Sequence, residues 1–126
     1  MLSRDLIATV IKTFFEELDD VRDGGKRAGQ ESPYAGFYDL YFKKDREWFI
    51  QSPVSEITTF FADDPIYKLQ MLTELLYRDA RRLTDAELQG ILYRKLVELY
   101  DVIDVRSMEF SVDRMNRVAE LKELLG

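Results

Sequence analysis

The chain has 126 residues, a formal charge of −6, 46% hydrophobic residues and neither cysteine nor histidine. That length supports one domain with a single core that needs no metal or disulfide staple. The missing residue types exclude disulfides, a thiol nucleophile, a Ser-His-Asp triad, zinc sites of the usual ligand set and the Glu-x-x-His motif of di-iron bundles. Neither half is a basic platform: residues 1–64 carry 8 Lys/Arg against 13 Asp/Glu, and residues 65–126 carry 10 against 11. This charge argues against nucleic acid as a partner. Apolar runs are only a few residues long, too short to cross a membrane. Arg4, Asp5 and then Lys12 fall where a secretory signal would carry its apolar core, so the chain reads as cytoplasmic.

The first predicted helix runs from about Arg4 to Asp20, with Ser3 placed to cap it. Leu6, Ile7, Val10, Ile11, Phe14, Phe15 and Leu18 form a wide apolar stripe that suits either the core or a partner chain. Glu16, Glu17, Asp19 and Asp20 oppose the dipole at the end of this helix, with Arg22, Lys26 and Arg27 following as compensation. Asp19-x-Val21-x-Asp23-Gly24 partly follows a calcium loop, but Val21 and Gln30 stand where oxygen ligands are needed. Gly24-Gly25-Lys26 lacks the remainder of a phosphate loop. The glycine-rich, polar stretch from Arg22 to Ser32 reads as a mobile loop.

Three cap-plus-proline signals follow, at Ser32-Pro33, Ser52-Pro53 and Asp64-Pro65, each opening a helix. Tyr34, Phe37, Tyr38, Tyr41 and Phe42 line the first of these. Asp45 caps a short turn holding Trp48 and Phe49, and Val54, Ile57, Phe60 and Phe61 line the next piece. Pro65 to Ile103 reads as two long amphipathic helices joined by a tight turn, the scaffold of the fold. Leu69, Leu72, Leu75 and Leu76 mark one stripe, and Leu88, Ile91, Leu92, Leu99, Val102 and Ile103 the other. Thr84 and Glu87 have the spacing of a capping box between them. Arg106 to Glu109 reads as a connection. Ser111 caps the last helix, about Val112 to Leu125, with Phe110 and Met115 spaced as a hydrophobic staple. Glu74–Arg78 and Asp113–Arg117 are favourable i, i+4 pairs. No stretch alternates with period two. The expected fold is therefore an all-α bundle of about four main helices plus short helical segments. The hairpin has the shape of a tetratricopeptide unit without that consensus.

Arg4-Asp5-Leu6-Ile7, Met71-Leu72-Thr73-Glu74-Leu75-Leu76-Tyr77 and Phe110-Ser111-Val112-Asp113-Arg114 together resemble a group of short bacterial all-helical proteins without an assigned activity. The resemblance covers about a third of the chain and implies the fold alone.

Two groups stand out as interaction candidates. Nine aromatic residues lie between Tyr34 and Phe61, and Tyr34, Phe37, Tyr38, Tyr41, Trp48 and Phe49 could anchor short helices on the core, cover an interface or line a pocket for a flat or lipid-like ligand. Arg78, Arg81 and Arg82, with Arg94, surround the hairpin turn. They suit either the dipole of a helix C-terminus or the docking of an acidic peptide. Asp101 and Asp104, one turn apart, are the paired carboxylates that acid–base chemistry would use, in a setting that suits a solvated helix end better. Tyr77, Tyr93 and Tyr100 read as rim residues of the core. No catalytic residue, metal ligand or cofactor motif is assigned. The expectation is a non-enzymatic protein-interaction or assembly module, self-association included, with a small hydrophobic or aromatic ligand-binding protein as the alternative.

Overall fold

The structure, a computed structural model, describes residues 4–21 and 32–126. Among them are seven α-helices and no strand: α1 (Arg4–Asp20), α2 (Ala35–Phe42), α3 (Arg46–Gln51), α4 (Val54–Phe60), α5 (Ile66–Arg81), α6 (Ala86–Ser107) and α7 (Val112–Leu125). The all-α expectation therefore holds. No helix among the described residues is long and apolar enough to cross a membrane. The cap expected at Ser3 and the loop residues Arg22 to Glu31 lie outside the described residues.

The α5–α6 hairpin is the scaffold, and its apolar faces make most of one continuous core. Leu69, Leu72, Leu75 and Leu76 of α5 and Leu92, Leu96, Leu99 and Ile103 of α6 are buried there. Ile91, expected in the second stripe, is exposed instead. The true inward row of α6 is Leu92, Lys95, Leu96, Leu99 and Ile103, spaced at i, i+3, i+4. A lysine in that row hides the periodicity from a reading based on apolar residues alone. Tyr93 and Tyr100 are buried beside this row rather than sitting at its rim.

The hairpin turn is capped by Asp85, not Thr84. The Asp85 carboxylate accepts from the backbone N–H of Glu87 and Leu88 at 3.0 and 3.2 Å. Gln89 reaches back to donate to the carbonyl of Ala80 at 2.9 Å. One side chain of α6 thus closes the C-terminal end of α5, whose last carbonyls have no intrahelical partner.

The proline signals mark helix starts to within two residues, but their serines and aspartate do other work. Ser32 Oγ accepts from Tyr34 N–H at 3.1 Å, capping a turn that leads into α2. Pro53 and Pro65 stand just before their helices, and no side chain caps either start. Ser32, expected to close the mobile loop, is buried. Asp45 does cap α3, accepting from Trp48 N–H at 2.8 Å, and Ser111 caps α7, accepting from Arg114 N–H at 3.2 Å. Arg106 is not in a connection. It sits in the last turn of α6 and donates to the carbonyls of Phe61 at 3.3 Å and Asp64 at 3.0 Å, beyond the end of α4.

Lys95 performs the same service for α3. Its buried ammonium donates to the carbonyls of Phe49, Ile50 and Ser52 at 3.1, 2.7 and 2.7 Å. A cation at a helix C-terminus meets both the free carbonyls and the negative end of the dipole. Burial pushes the Lys95 pKa down, and the Glu98 charge opposes that shift. The three carbonyl bonds explain why a charge is tolerated in the core row. Lys95→Met keeps the aliphatic stem and removes only the ammonium. It should lower unfolding stability by roughly 1–3 kcal/mol, the cost of stranding buried acceptors. Urea denaturation measures this, and an unchanged midpoint would sink the capping account.

Candidate functional site

The aromatic segment is used up within the fold. Phe14 of α1 meets Tyr41 edge-on at 4.8 Å and Phe42 at 6.3 Å. Phe42 continues to Phe49 and Phe61, and Phe49 to Trp48 at 5.0 Å. The rings thus form a connected series from α1 through α2 and α3 to α4, in the edge-to-face geometry that their quadrupoles favour. Tyr38 and Phe49 are fully buried, so of the readings open to these interaction candidates they take the core-anchoring one. Tyr34, Phe37, Tyr41 and Trp48 are half-buried against the same core. A shallow open cleft of about 290 Å³ beside them is lined by Tyr41, Phe42, Phe60, Phe61, Lys43 and Lys68 together with Asp64.

What fixes this segment is a buried carboxylate that apolar periodicity does not mark. Asp79 of α5 accepts from Ser32 Oγ at 2.7 Å, from Tyr38 Oη at 2.8 Å, and from Arg46 Nε at 2.6 Å and Nη2 at 3.3 Å. Burial, then the Asp79 charge and hydrogen bond, push the Tyr38 pKa well above its ordinary value. Burial opposes the charge on Arg46, and its bonds to Asp79 outweigh this and raise its pKa. Asp79 continues the Leu72–Leu75–Leu76 stripe by one turn, so a lone acid in an apolar row was the available signal. A carboxylate whose two oxygens are both saturated by donors is a structural anchor rather than a general base.

The arginine corner divides. Arg78 is committed within the chain: it binds Asp19 at 2.7 Å and Glu74 at 3.0 Å, fastening α1 to α5. Asp19, the first residue of the partial calcium loop, is therefore paired with a cation. The rest of that pattern, like Gly24-Gly25-Lys26, lies outside the described residues apart from Val21. Arg81 is exposed, and the Tyr93 hydroxyl, as hydrogen-bond partner, raises its pKa. Arg82 is half-buried and also engaged. The acidic end of α1 is thus balanced by Arg78, while Glu17 accepts from Tyr41 Oη at 2.5 Å.

The carboxylates named for chemistry do not come together. Asp104 pairs with Arg114 at 2.7 Å, and Asp101 is exposed. Arg117, expected beside Asp113, turns instead to Glu74 at 3.2 Å and lies 3.6 Å from the centre of the Tyr77 ring. Tyr77 donates to Glu120 of α7. Glu74, Arg114 and Arg117, with Asp113, line an open cleft of about 320 Å³ between α1, α5, α6 and α7.

One surface remains unexplained by packing. Where α6 gives way to α7, Val105 is 70% exposed, Met108 89% and Phe110 79%, with Val112 and Met115 also exposed. The expected staple between Phe110 and Met115 is therefore open to solvent. The two residues share the wall of a groove of about 440 Å³ with Asp104, Met108, Ser111 and Val118. Met108 ends α6 in the left-handed region, at φ 54°, donating its N–H to the Asp104 carbonyl. Glycine is the usual residue there because it has no Cβ to crowd the backbone. In the sequence Met108 falls in the expected connection and Phe110 and Met115 in the expected staple, and local spacing does not show which side chains a corner leaves uncovered.

Removing the Asp79 charge should cost more than any single surface change. Asp79→Asn puts an amide donor among three donor groups and leaves Arg46 unpaired, so a loss of roughly 2–4 kcal/mol in urea denaturation is expected. A second expectation concerns pH. Burial and then Glu17 raise Tyr41 to about 12, burial and then Glu120 raise Tyr77 to about 12, and burial raises Tyr38 and Tyr100. The folded state thus holds tyrosine protons more firmly than the unfolded chain. That stability is complete below pH ~10 and is lost as pH rises from there toward the folded values. Melting temperature should fall steeply above pH ~10, with tyrosinate absorbance rising together with unfolding. Independent titration of these tyrosines in a folded protein would overturn this account.

No protein-family model, curated protein or solved structure matches the chain.

Proposed function

We propose that the chain is a cytoplasmic, non-enzymatic protein-interaction module that docks through the exposed apolar corner between α6 and α7. The carrying observation is the cluster of Val105, Met108 and Phe110, all more than two-thirds exposed, with Val112 and Met115 exposed beside them. Contiguous exposed apolar surface rimmed by polar residues is characteristic of binding sites. Methionine and phenylalanine suit such a site, the first by adapting its shape and the second by giving a large apolar contact. The internal commitments of the polar groups support the same reading. Every buried side-chain nitrogen or oxygen among the described residues has a hydrogen-bond partner, so no buried polar side chain is held in reserve for chemistry. The acidic balance of the chain supports a protein partner over nucleic acid. Self-association through the corner is the second form of this reading.

The test is a photo-crosslinking amino acid at Val105, with a control at Leu40, which is equally exposed on α2. Val105 should yield protein adducts in cells, and Phe110→Ser should abolish them without changing the melting temperature by more than a few degrees. Light scattering after gel filtration sorts self-adducts from those of a second protein. Equal yields at Val105 and Leu40 would remove the reading.

A further inference from the structure

The corner carries more than hydrophobicity. The groove wall includes Asp104 and Glu109. Asp101 lies four residues before Val105 on α6, on the same helix face and exposed. Asp113 follows Val112 and lines the neighbouring cleft, which shares Ser111 with the groove. Among the described residues, Asp101, Glu109 and Asp113 have no side-chain ion pair. The basic residues nearby are already engaged. Arg106 donates to the carbonyls of Phe61 and Asp64, and Arg114 to the Asp104 carboxylate and the Glu109 carbonyl. An apolar groove is therefore bordered by Asp104, which Arg114 pairs, and by the carboxylates of Glu109 and Asp101, which have no cation.

Resting on the interaction reading above, we propose that the α6–α7 corner is a docking groove for a cationic amphipathic helix of a partner protein. Apolar side chains on successive turns of that helix fill the space between Met108, Phe110 and Met115, and its lysine or arginine flank faces Asp101 and Glu109. The described residues offer no sheet edge for a strand, whereas a helix arrives with its backbone hydrogen bonds already made. A second copy would bring one acidic rim against another across a two-fold axis, on a chain already at −6. An anionic lipid surface would meet the same repulsion. Met108 adds an independent observation. A bulky side chain at φ 54° is strained where glycine would rest easily, and it is almost wholly exposed, so no contact inside the chain accounts for it.

The test uses the full chain and two synthetic helices with the same leucine stripe, one with a lysine polar face and one with a glutamate polar face. Fluorescence anisotropy measures binding, and amide shifts in NMR locate it. The lysine helix should bind more tightly, move amides within residues 101–118, and weaken as salt is raised. Met108→Gly and Phe110→Ser should each weaken it about tenfold or more. Met108→Gly should melt no lower than the parent chain, since glycine relieves the backbone there, which separates lost docking from lost fold. Asp101→Lys with Glu109→Lys should reverse the preference toward the glutamate helix. Equal binding of both helices would overturn the proposal. So would lysine-helix shifts spread over the acidic surface and indifferent to Met108→Gly, or a dimer seated on the corner. If Val105 crosslinks to a partner while the lysine helix shows no preference, the charge assignment fails and the interaction reading stands. If Val105 crosslinks to nothing and neither helix binds, both fail.

Discussion

Two charged side chains set into the apolar faces of a helical hairpin hold the short helices α2 and α3 in place. Asp79 on α5 gathers Ser32, Tyr38 and Arg46, while Lys95 on α6 gathers the carbonyls that end α3. Each would be costly to bury alone. Each is tolerated because the short helices supply the missing partners, and those helices are too short to be stable without an anchor. The scaffold and the segment it carries therefore stabilise one another. A hydrophobic contact can slide, but a carboxylate bonded to three named donors has one geometry.

The aromatic segment follows from that arrangement. With Tyr38 pinned by its hydroxyl and α3 pinned by its end, Phe42 meets Phe49 and Phe61 edge-to-face, and those two rings stack on each other. Their number reflects how little area a six- or eight-residue helix has with which to hold itself to a core. Electrostatics is used in the same economical way at the surface. Arg78 offsets the acidic end of α1, Arg106 closes the chain beyond α4, and Arg117 spans α7 and α5 through Glu74 and the face of Tyr77. What stays outside this internal accounting is the α6–α7 corner, where apolar side chains face solvent beside carboxylates that have no cation. That contrast, more than any single residue, carries the functional reading.

The long elements were legible in the sequence. α1 and α7 begin and end where their stripes and flanking residues predict, because a helix of four or more turns averages over many side chains. Asp45 and Ser111 were readable as caps because their hydroxyl or carboxylate acts on the next three residues of the same chain. The all-helical class was legible for the same reason: it depends on local spacing and on the absence of alternation.

The tertiary structure alone decided which polar residues act at a distance and which apolar ones stay uncovered. Ser32 looked like a loop end and became a partner of a carboxylate 47 residues away. Lys95 and Asp79 carry no local signal of their role and are anchors, since their partners are carbonyls, hydroxyls and a guanidinium brought in from elsewhere in the chain. Tyr38 and Phe49, candidates for core, interface or pocket alike, are sealed inside, whereas Met108, read in a connection, and Phe110, read in a staple, are open. Local sequence sets helix periodicity and capping through contacts a few residues apart. Burial is a property of neighbours that the chain brings together only when it folds.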